Sequence, residues 1–230
     1  MNKISIIIPI YNEAETIRTA VLHLDNTLSK KIPYEIIIVD GGSTDGSLEQ
    51  IKTSETTRSF CSKKGRANQM NAGAKEATGS ILYFLHCDSF PPKDFDLLIE
   101  KQVKTNNQAG CFRMKFDLKH PLLQVSQWFT RFNHISCRGG DQSLFVTKKL
   151  FDSINGFDEK CTIYEDNEII ERLYAKNQFV VIPQYIITSA RKYKHNGVWT
   201  LQYHFGVIHF KRKMGHSTLS LQQYYKRNII

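Results

Sequence analysis

Three short apolar runs, each closing in an acidic turn, constrain this chain more than anything else in it: SIIIPIYNE (5–13), EIIIVDGGSTDGS (35–47) and SILYFLHCDS (80–89). An unbroken run of Ile, Val and Leu marks a parallel strand covered on both faces, because the apolar/polar alternation is lost when neither face meets water. Ligands of open α/β sheets gather beyond the carboxyl ends of such strands. Glu13, Asp40 and Asp88 are therefore expected to meet on one rim.

The intervening segments read as helices. Ile17, Val21, Leu24 and Leu28 recur at helical spacing after the first run. Ser43 or Thr44 is placed to cap a second helix beginning near Asp45. A short strand is expected over 57–61, and the alanine-rich GRANQMNAGAKEATG (65–79) is expected to be a helix stopping at Gly79. Strands alternating with helices imply a parallel sheet, so the fold class is α/β. From about 109 the pattern changes: AGCFRMKFDL alternates, a mixed helical segment holds Trp128 and Phe129, and SLFVT is another strand. YEDNEIIERLYAKN (164–177) is a helix with acids at its mouth, followed by the strand FVVIP. In NGVWTLQYHFGVIHFKRKMG, Val198, Leu201, Phe205 and Ile208 share one helical face. The division expected is a main domain over 1–190 and a basic helical C-terminal extension over 191–230.

Composition narrows the classes. The 230 residues, 41% of them hydrophobic, suffice for one α/β core with a small appendage. There is no basic-then-apolar leader and no apolar stretch near the roughly 18 residues that span a bilayer, which points to a cytoplasmic location, peripheral at the inner face of the membrane if membrane-bound at all. The five cysteines form no CxxC pair, so neither a disulfide framework nor a zinc site is indicated. The net charge of +9 is unevenly placed: residues 172–230 carry ten Lys or Arg and no carboxylate, whereas 1–171 carry 21 basic and 22 acidic side chains. That asymmetry suits an anionic partner, whether membrane leaflet, diphosphate or nucleic acid, and equally a solvated basic tail.

Certain residues carry chemistry. Asp40, followed by two glycines, can accept hydrogen bonds from a ribose or base edge, or can simply close an Asx-type turn. Asp88 offers an oxygen ligand that could hold Mg2+ or Mn2+ against a diphosphate. His86, two residues earlier, is a second ligand, a hydrogen-bond donor or a packed neutral histidine; Cys87 points to the core. Glu165 and Asp166 sit at a helix N-terminus, which keeps a carboxylate ionised and ready to take a proton from a hydroxyl, though acids there also merely complement the helix dipole. Asp141 lies beside two glycines where it can contact a sugar, and Arg138, Arg191 and Lys192 are candidates for phosphate oxygens.

Together, SIIIPIYNEAETI, EIIIVDGGSTDGS, GRANQMNAGAKEATGSILYFLHCDS, GGDQSLFVTKKLFDSINGFDE and YEDNE resemble the family-2 glycosyltransferases, over about residues 4–175. The closest likeness is to a subgroup of small bacterial transferases. The resemblance implies the A-type glycosyltransferase fold, a Rossmann-like sheet flanked by helices, and inverting transfer from a nucleotide diphosphate sugar. By it, Pro9, Tyr11, Glu13 and Asp40 contact the nucleoside, Asp88 serves the metal and the diphosphate, and Asp166 is the base. Arg66, Asp141 and Arg191 complete the donor-binding set, and the cofactor is a divalent cation, Mn2+ or Mg2+, on Asp88 and His86. Many relatives have Asp-x-Asp where this chain has His86-Cys87-Asp88.

The expected partners are the nucleotide diphosphate sugar, a sugar, lipid or small-molecule acceptor, and an anionic membrane surface. The competing reading is a catalytically inactive module that binds membrane or nucleic acid through the acid-free C-terminal quarter. The intact set of acids argues against nucleic acid. Tyr203, Phe205 and Phe210, with nearby cations, are candidates for an interfacial helix that brings the site to a lipid-linked acceptor.

Overall fold

A computed structural model describes residues 2–161 and 163–229. In chain order the elements are β1 (Ile4–Ile10), α1 (Ile17–Thr27), β2 (Tyr34–Asp40), β3 (Thr57–Cys61), α2 (Arg66–Glu76), β4 (Ile81–Phe84), β5 (Ser89–Phe90), α3 (Phe95–Lys104), β6 (Ala109–Phe116), α4 (Pro121–Phe129), β7 (Leu144–Thr147), α5 (Lys148–Ser153), α6 (Glu165–Tyr174), β8 (Phe179–Thr188), α7 (Arg191–Asn196), α8 (Val198–Lys213) and α9 (Thr218–Asn228). One sheet has the order β3-β2-β1-β4-β7-β6-β8-β5. The first four of these strands are parallel; β7 runs against both β4 and β6, and β5 runs against β8.

The apolar runs behave as both-face-buried strands should. Every residue of β1 is buried, and its alternate side chains serve two layers. Ile4, Ile6, Ile8 and Ile10 pack with Ile17 and Leu24 of α1 and Phe95 and Ile99 of α3. Ile7 faces the other way, with Met70 and Ala74 of α2 and Ile169, Ile170 and Leu173 of α6. Helix α2 lies close to the sheet because position 73 is glycine: a Cβ there would run into the Ile7 side chain. A third cluster joins Leu123 of α4 to Tyr193 of α7, Leu201 and Ile208 of α8, and Leu221 of α9, with Val198 and Phe205 half-buried against it. The face expected of Val198, Leu201, Phe205 and Ile208 is thus the inward face of α8.

Two local expectations change. No α-helix follows Asp45; a single 3-10 turn, Leu48–Gln50, takes its place. The polar groups suited to capping are engaged elsewhere: Ser43 Oγ accepts from the Asn12 amide (2.8 Å), Asp45 from Ala14 (2.9 Å) and Ser47 Oγ from Glu13 (2.8 Å). The third apolar run leaves regular pairing at Phe84, so His86 and Asp88 lie in a turn rather than along a strand. That turn is closed by the Ser89 amide donating to the His86 carbonyl (3.1 Å).

Candidate active site

The carboxyl ends of β2, β1 and β4 lie side by side, since Ile10 pairs with Asp40 and Ile7 with both Ile37 and Phe84. The turns after β1 and β2 are stapled together by the three bonds above and by the Thr44 amide donating to Asn12 Oδ1 (3.0 Å). Gln69 of α2, which no motif or spacing singles out, fixes the same corner by donating to the carbonyls of Ile10 (2.7 Å) and Val39 (2.8 Å). Asp40 is 1% exposed, and its Oδ2 accepts from the amides of Gly42 and Ser43, both at 2.9 Å. Of the two readings of Asp40, the turn-forming one is realised here. Pro9 is buried within β1, while Tyr11 is 41% exposed at the rim with the Lys64 ammonium 3.7 Å from its ring centroid.

Antiparallel β7 begins where β4 ends, since Leu144 pairs with Phe84. The 3-10 turn Gly140–Gln142 ahead of it therefore brings Asp141 over the β4 turn. The N-terminus of α6 brings Glu165 and Asp166 to the same place. His86, 6% exposed, lies between them: Nδ1 is 3.6 Å from Asp141 Oδ1 and Nε2 is 3.4 Å from Asp166 Oδ2. Arg66, at the start of α2, reaches Glu165 at 3.8 Å. These separations are those of ion pairs rather than tight hydrogen bonds. Gly140 is required by this packing, because a Cβ there would collide with the Asp166 carboxylate. On the other flank, Arg191 at the start of α7 donates to both oxygens of Glu13, at 3.1 and 3.2 Å. Asp88, half-buried, lies within the electrostatic reach of Arg66 and Arg191.

Three residues around this cleft hold left-handed backbone without being glycine: Asn12 (φ 55°), Ser143 (φ 60°) and Tyr164 (φ 72°). Each is next to, or two residues from, one of the carboxylates Glu13, Asp141 and Glu165. Such conformations cost of order 1–3 kcal/mol each and concentrate where side chains must be aimed.

Mutual proximity sets the charges. Burial and the Arg66 guanidinium disfavour protonation of His86, but Asp141 and Asp166 outweigh both and raise it to about 9, so it is an imidazolium at neutral pH. Burial works against ionisation of Asp166, yet His86 and Arg66 hold its carboxyl below the ordinary range. Desolvation works against Asp141 too, but with 55% of its side chain exposed that penalty is small, and His86, Lys192 and Arg66 hold its carboxyl low. Glu165 goes the other way: burial, then the Asp166 charge beside it, push its carboxyl up against the pull of Arg66. The cleft thus presents two ionised carboxylates, a proton-holding imidazolium and two guanidinium groups.

Of the pair expected to hold the cation, Asp88 is half-buried and carries a carboxylate oxygen suited to Mg2+ or Mn2+, while both ring nitrogens of His86 are turned to carboxylates, which compete with a metal for them. Among the described residues no group of three or more His, Cys, Asp or Glu is arranged to hold a metal ion. Arg138 is also removed from the phosphate candidates: it is 5% exposed and donates to Cys111 Sγ (3.1 Å) and to the carbonyls of Thr130 (2.8 Å) and Phe132.

Comparison with known proteins agrees with this architecture. A fragment of S. aureus TarS in complex with UDP superposes with a TM-score of 0.66 at 17% identity, covering 82% of this chain and 60% of that one; the fold is the A-type glycosyltransferase fold. The glycosyltransferase AglE of Haloferax volcanii is 31% identical over 113 residues, 46% of this chain and 36% of its own length. The dolichol-phosphate mannosyltransferase of Pyrococcus furiosus is 34% identical over 106 residues, 43% of this chain and 29% of its own. The matches thus span about a third of the length of these curated relatives. The family described as glycosyl transferase family 2 matches over residues 5–152, which contain both stapled turns, the His86–Asp88 turn and Asp141. The chain is therefore a member of glycosyl transferase family 2.

Proposed function

We propose that this protein is an inverting glycosyltransferase that moves a sugar from a nucleotide diphosphate sugar to a hydroxyl acceptor carried on a lipid or in the cell envelope, working at the cytoplasmic face of the membrane. The observation that carries the reading is the meeting, at one end of the sheet, of Glu13, Asp88, Asp141 and Asp166 with Arg66 and Arg191. The acceptor oxygen attacks the anomeric carbon from the side opposite the diphosphate, the carbon–oxygen bond to phosphate breaks, and its electron pair leaves with the nucleotide. Asp166, ionised at neutral pH, receives the acceptor's proton. Arg66 and Arg191 offset the charge that develops on the departing diphosphate. Tyr11 and the stapled turns around Asp40 form the nucleoside edge of the site, and Asp141 faces the sugar.

A divalent cation, common in this family, would supply Lewis-acid stabilisation of the diphosphate. Asp88 is the protein ligand suited to it, with phosphate and water oxygens completing the shell as is usual for Mg2+. The lipid-linked acceptor is supported by the relatives, among them a dolichol-phosphate mannosyltransferase and undecaprenyl-phosphate 4-deoxy-4-formamido-L-arabinose transferases. No helix among the described residues is long and apolar enough to cross a membrane.

The test is a thermal-shift and calorimetric screen of UDP, GDP and dTDP with and without Mn2+. One nucleotide should raise the melting temperature, since ligand at a hundred times its Kd stabilises a fold by about 2.7 kcal/mol. Asp40→Ala, which unravels the nucleoside turn, should weaken that binding. Absence of binding by every common nucleotide would overturn the proposal, and binding without turnover of any donor sugar would favour an inactive binding module.

A further inference from the structure

Helix α8 is apolar on two opposite sides, and only one of them is used by the fold. Leu201 and Ile208 are buried against the body of the protein, with Val198 and Phe205 beside them. On the far side, Trp199 (71% exposed), Tyr203 (67%), Phe210 (64%) and Met214 (65%) follow one another with only Gly206 between Tyr203 and Phe210. At about 100° per residue these positions fall in a single stripe along the helix. Large aromatic side chains held in water at that density mark a surface made for something else.

A second stripe lies next to it. On α4 and the turn that follows, Val125, Trp128, Phe129 and Phe132 are all exposed, at the spacing i, i+3, i+4, i+7. Trp128 packs edge-on against Phe129 and Phe132, and the Arg131 guanidinium lies 4.7 Å from the Trp128 ring centroid. The two helices are joined by Gln202 donating to Ser126 (3.3 Å) and by the His120 and Trp199 rings, 6.2 Å apart. The Gln202 and Ser126 side of that junction falls roughly a quarter-turn from the exposed stripe on each helix, with the buried Leu201 or Leu123 on the far side. Both stripes therefore face outward in the same direction.

We infer that the α4–α8 face is a membrane-docking surface that seats on an anionic lipid bilayer. Charge selects this occupant. Neither 118–140 nor 172–230 contains an Asp or Glu, and setting aside the buried Arg138 and the paired Arg172 and Arg191 the two segments carry ten Lys or Arg. Aromatic side chains with an apolar body and a polar edge, bordered by long cations, are the combination that settles at the headgroup level. The surface is also fixed to the active site: His209 of α8 hydrogen-bonds the Tyr164 hydroxyl (3.0 Å), and Tyr164 immediately precedes Glu165 and Asp166. A bilayer under this face would hold a lipid-borne acceptor on the side of the protein that α8 links to the carboxylates. The surface adds to the reading of a lipid-linked acceptor but does not depend on it.

Both tryptophans of the chain, Trp128 and Trp199, lie in this surface, so intrinsic fluorescence reports on it alone. Full-length protein is titrated with vesicles of phosphatidylcholine, with and without phosphatidylglycerol, following tryptophan emission and co-flotation. UDP and GDP binding is measured on the same samples, so that loss of the donor reading and loss of the docking surface register separately. Blue-shifted emission and flotation with the anionic vesicles are expected, reduced by salt. The combined variant Tyr203→Ser, Phe210→Ser should bind them about tenfold more weakly while keeping Trp199 as reporter. Arg131→Glu with Lys213→Glu, which leaves the aromatics in place, should abolish the preference for anionic lipid. Flotation unchanged in both variants would overturn the inference. So would no association by the unaltered protein, or a dimer broken by the Tyr203/Phe210 variant in the absence of vesicle binding, which would assign the face to a second copy of the chain.

Discussion

The two ends of the parallel sheet both gather carboxylates and cations, and they use them in opposite ways. At the amino ends of β1 and β2, Glu35 is buried and saturated: Oε1 accepts from Ser5 Oγ (2.7 Å), the Thr78 amide (2.8 Å) and the Thr78 hydroxyl (2.8 Å) and has Lys3 at 3.5 Å, and Oε2 meets Arg58 at 3.3 Å. At the carboxyl ends, His86, Asp141, Asp166, Arg66 and Glu165 stand 3.4 to 3.8 Å apart. His86 Nδ1 and Gln142 Nε2 are buried there without a hydrogen-bond partner among the described residues. A buried carboxylate with all its bonds made is a lock. A set of charges near one another but incompletely bonded is available to a ligand, and a nucleotide diphosphate can supply what is missing.

The sharpest break between the ends is expected from Asp166→Asn. Loss of a general base typically costs on the order of 10^2–10^4 in rate, so kcat should collapse in a donor-turnover assay while nucleotide affinity stays near that of the parent; the melting temperature should fall at neutral pH, because buried His86 loses one of the two carboxylates that hold its proton. A kcat close to the parent's would overturn the assignment of Asp166 as the base.

The next effect is on pH dependence, where the two ends should respond with opposite signs. His86 is raised from its ordinary 6.5 to about 9. Its contribution is therefore complete below 6.5 and lost as pH rises through about 9, a change of about 3 kcal/mol at most. Glu165, also raised, withdraws stability in the same direction, as pH climbs from its ordinary 4.5 towards its higher folded value. Glu35 is the reverse case. Burial opposes its charge, but Ser5, Thr78 and Lys3 hold its carboxyl below 4.5. That contribution is intact above 4.5 and lost as pH falls through the lower folded value. Urea melts across the pH range should show both limbs, with His86→Gln flattening only the alkaline one; an unaltered alkaline limb in that variant would contradict the assignment.

Glu35→Ala is expected to be the smallest of the three. Lys3 and Arg58 can turn to water, leaving the Ser5 and Thr78 donors unpaired, a cost of about 2 kcal/mol. Turnover per folded molecule should not change, and a specific loss of kcat would show that the amino end is coupled to the chemistry.

Much of this was legible in the chain because hydrophobic pattern is local information. The Ile-rich runs declare strands covered on both sides, and the acidic turns that close them must then lie at one end of a parallel sheet. That Val198, Leu201, Phe205 and Ile208 share one face of α8 could be read from their spacing for the same reason, whereas that this face turns inward could not. The helix expected after Asp45 failed because Ser43, Asp45 and Ser47 bond to a turn more than 30 residues earlier, a competition that no capping rule contains. Arg138 and Arg191 look equivalent as letters. One is locked onto buried carbonyls and the other reaches Glu13 across 178 residues.

Residue periodicity and charge along the chain are enough to specify the layered α/β core, the rim on which the acids meet, and the basic character of the C-terminal quarter. Tertiary structure alone decided which acids pair with which cations, that His86 holds a proton between two carboxylates, and that α4 and α8 turn their aromatic stripes the same way. Electrostatic energy falls with distance through space, and no spacing along a chain fixes the few ångströms between side chains brought together by folding.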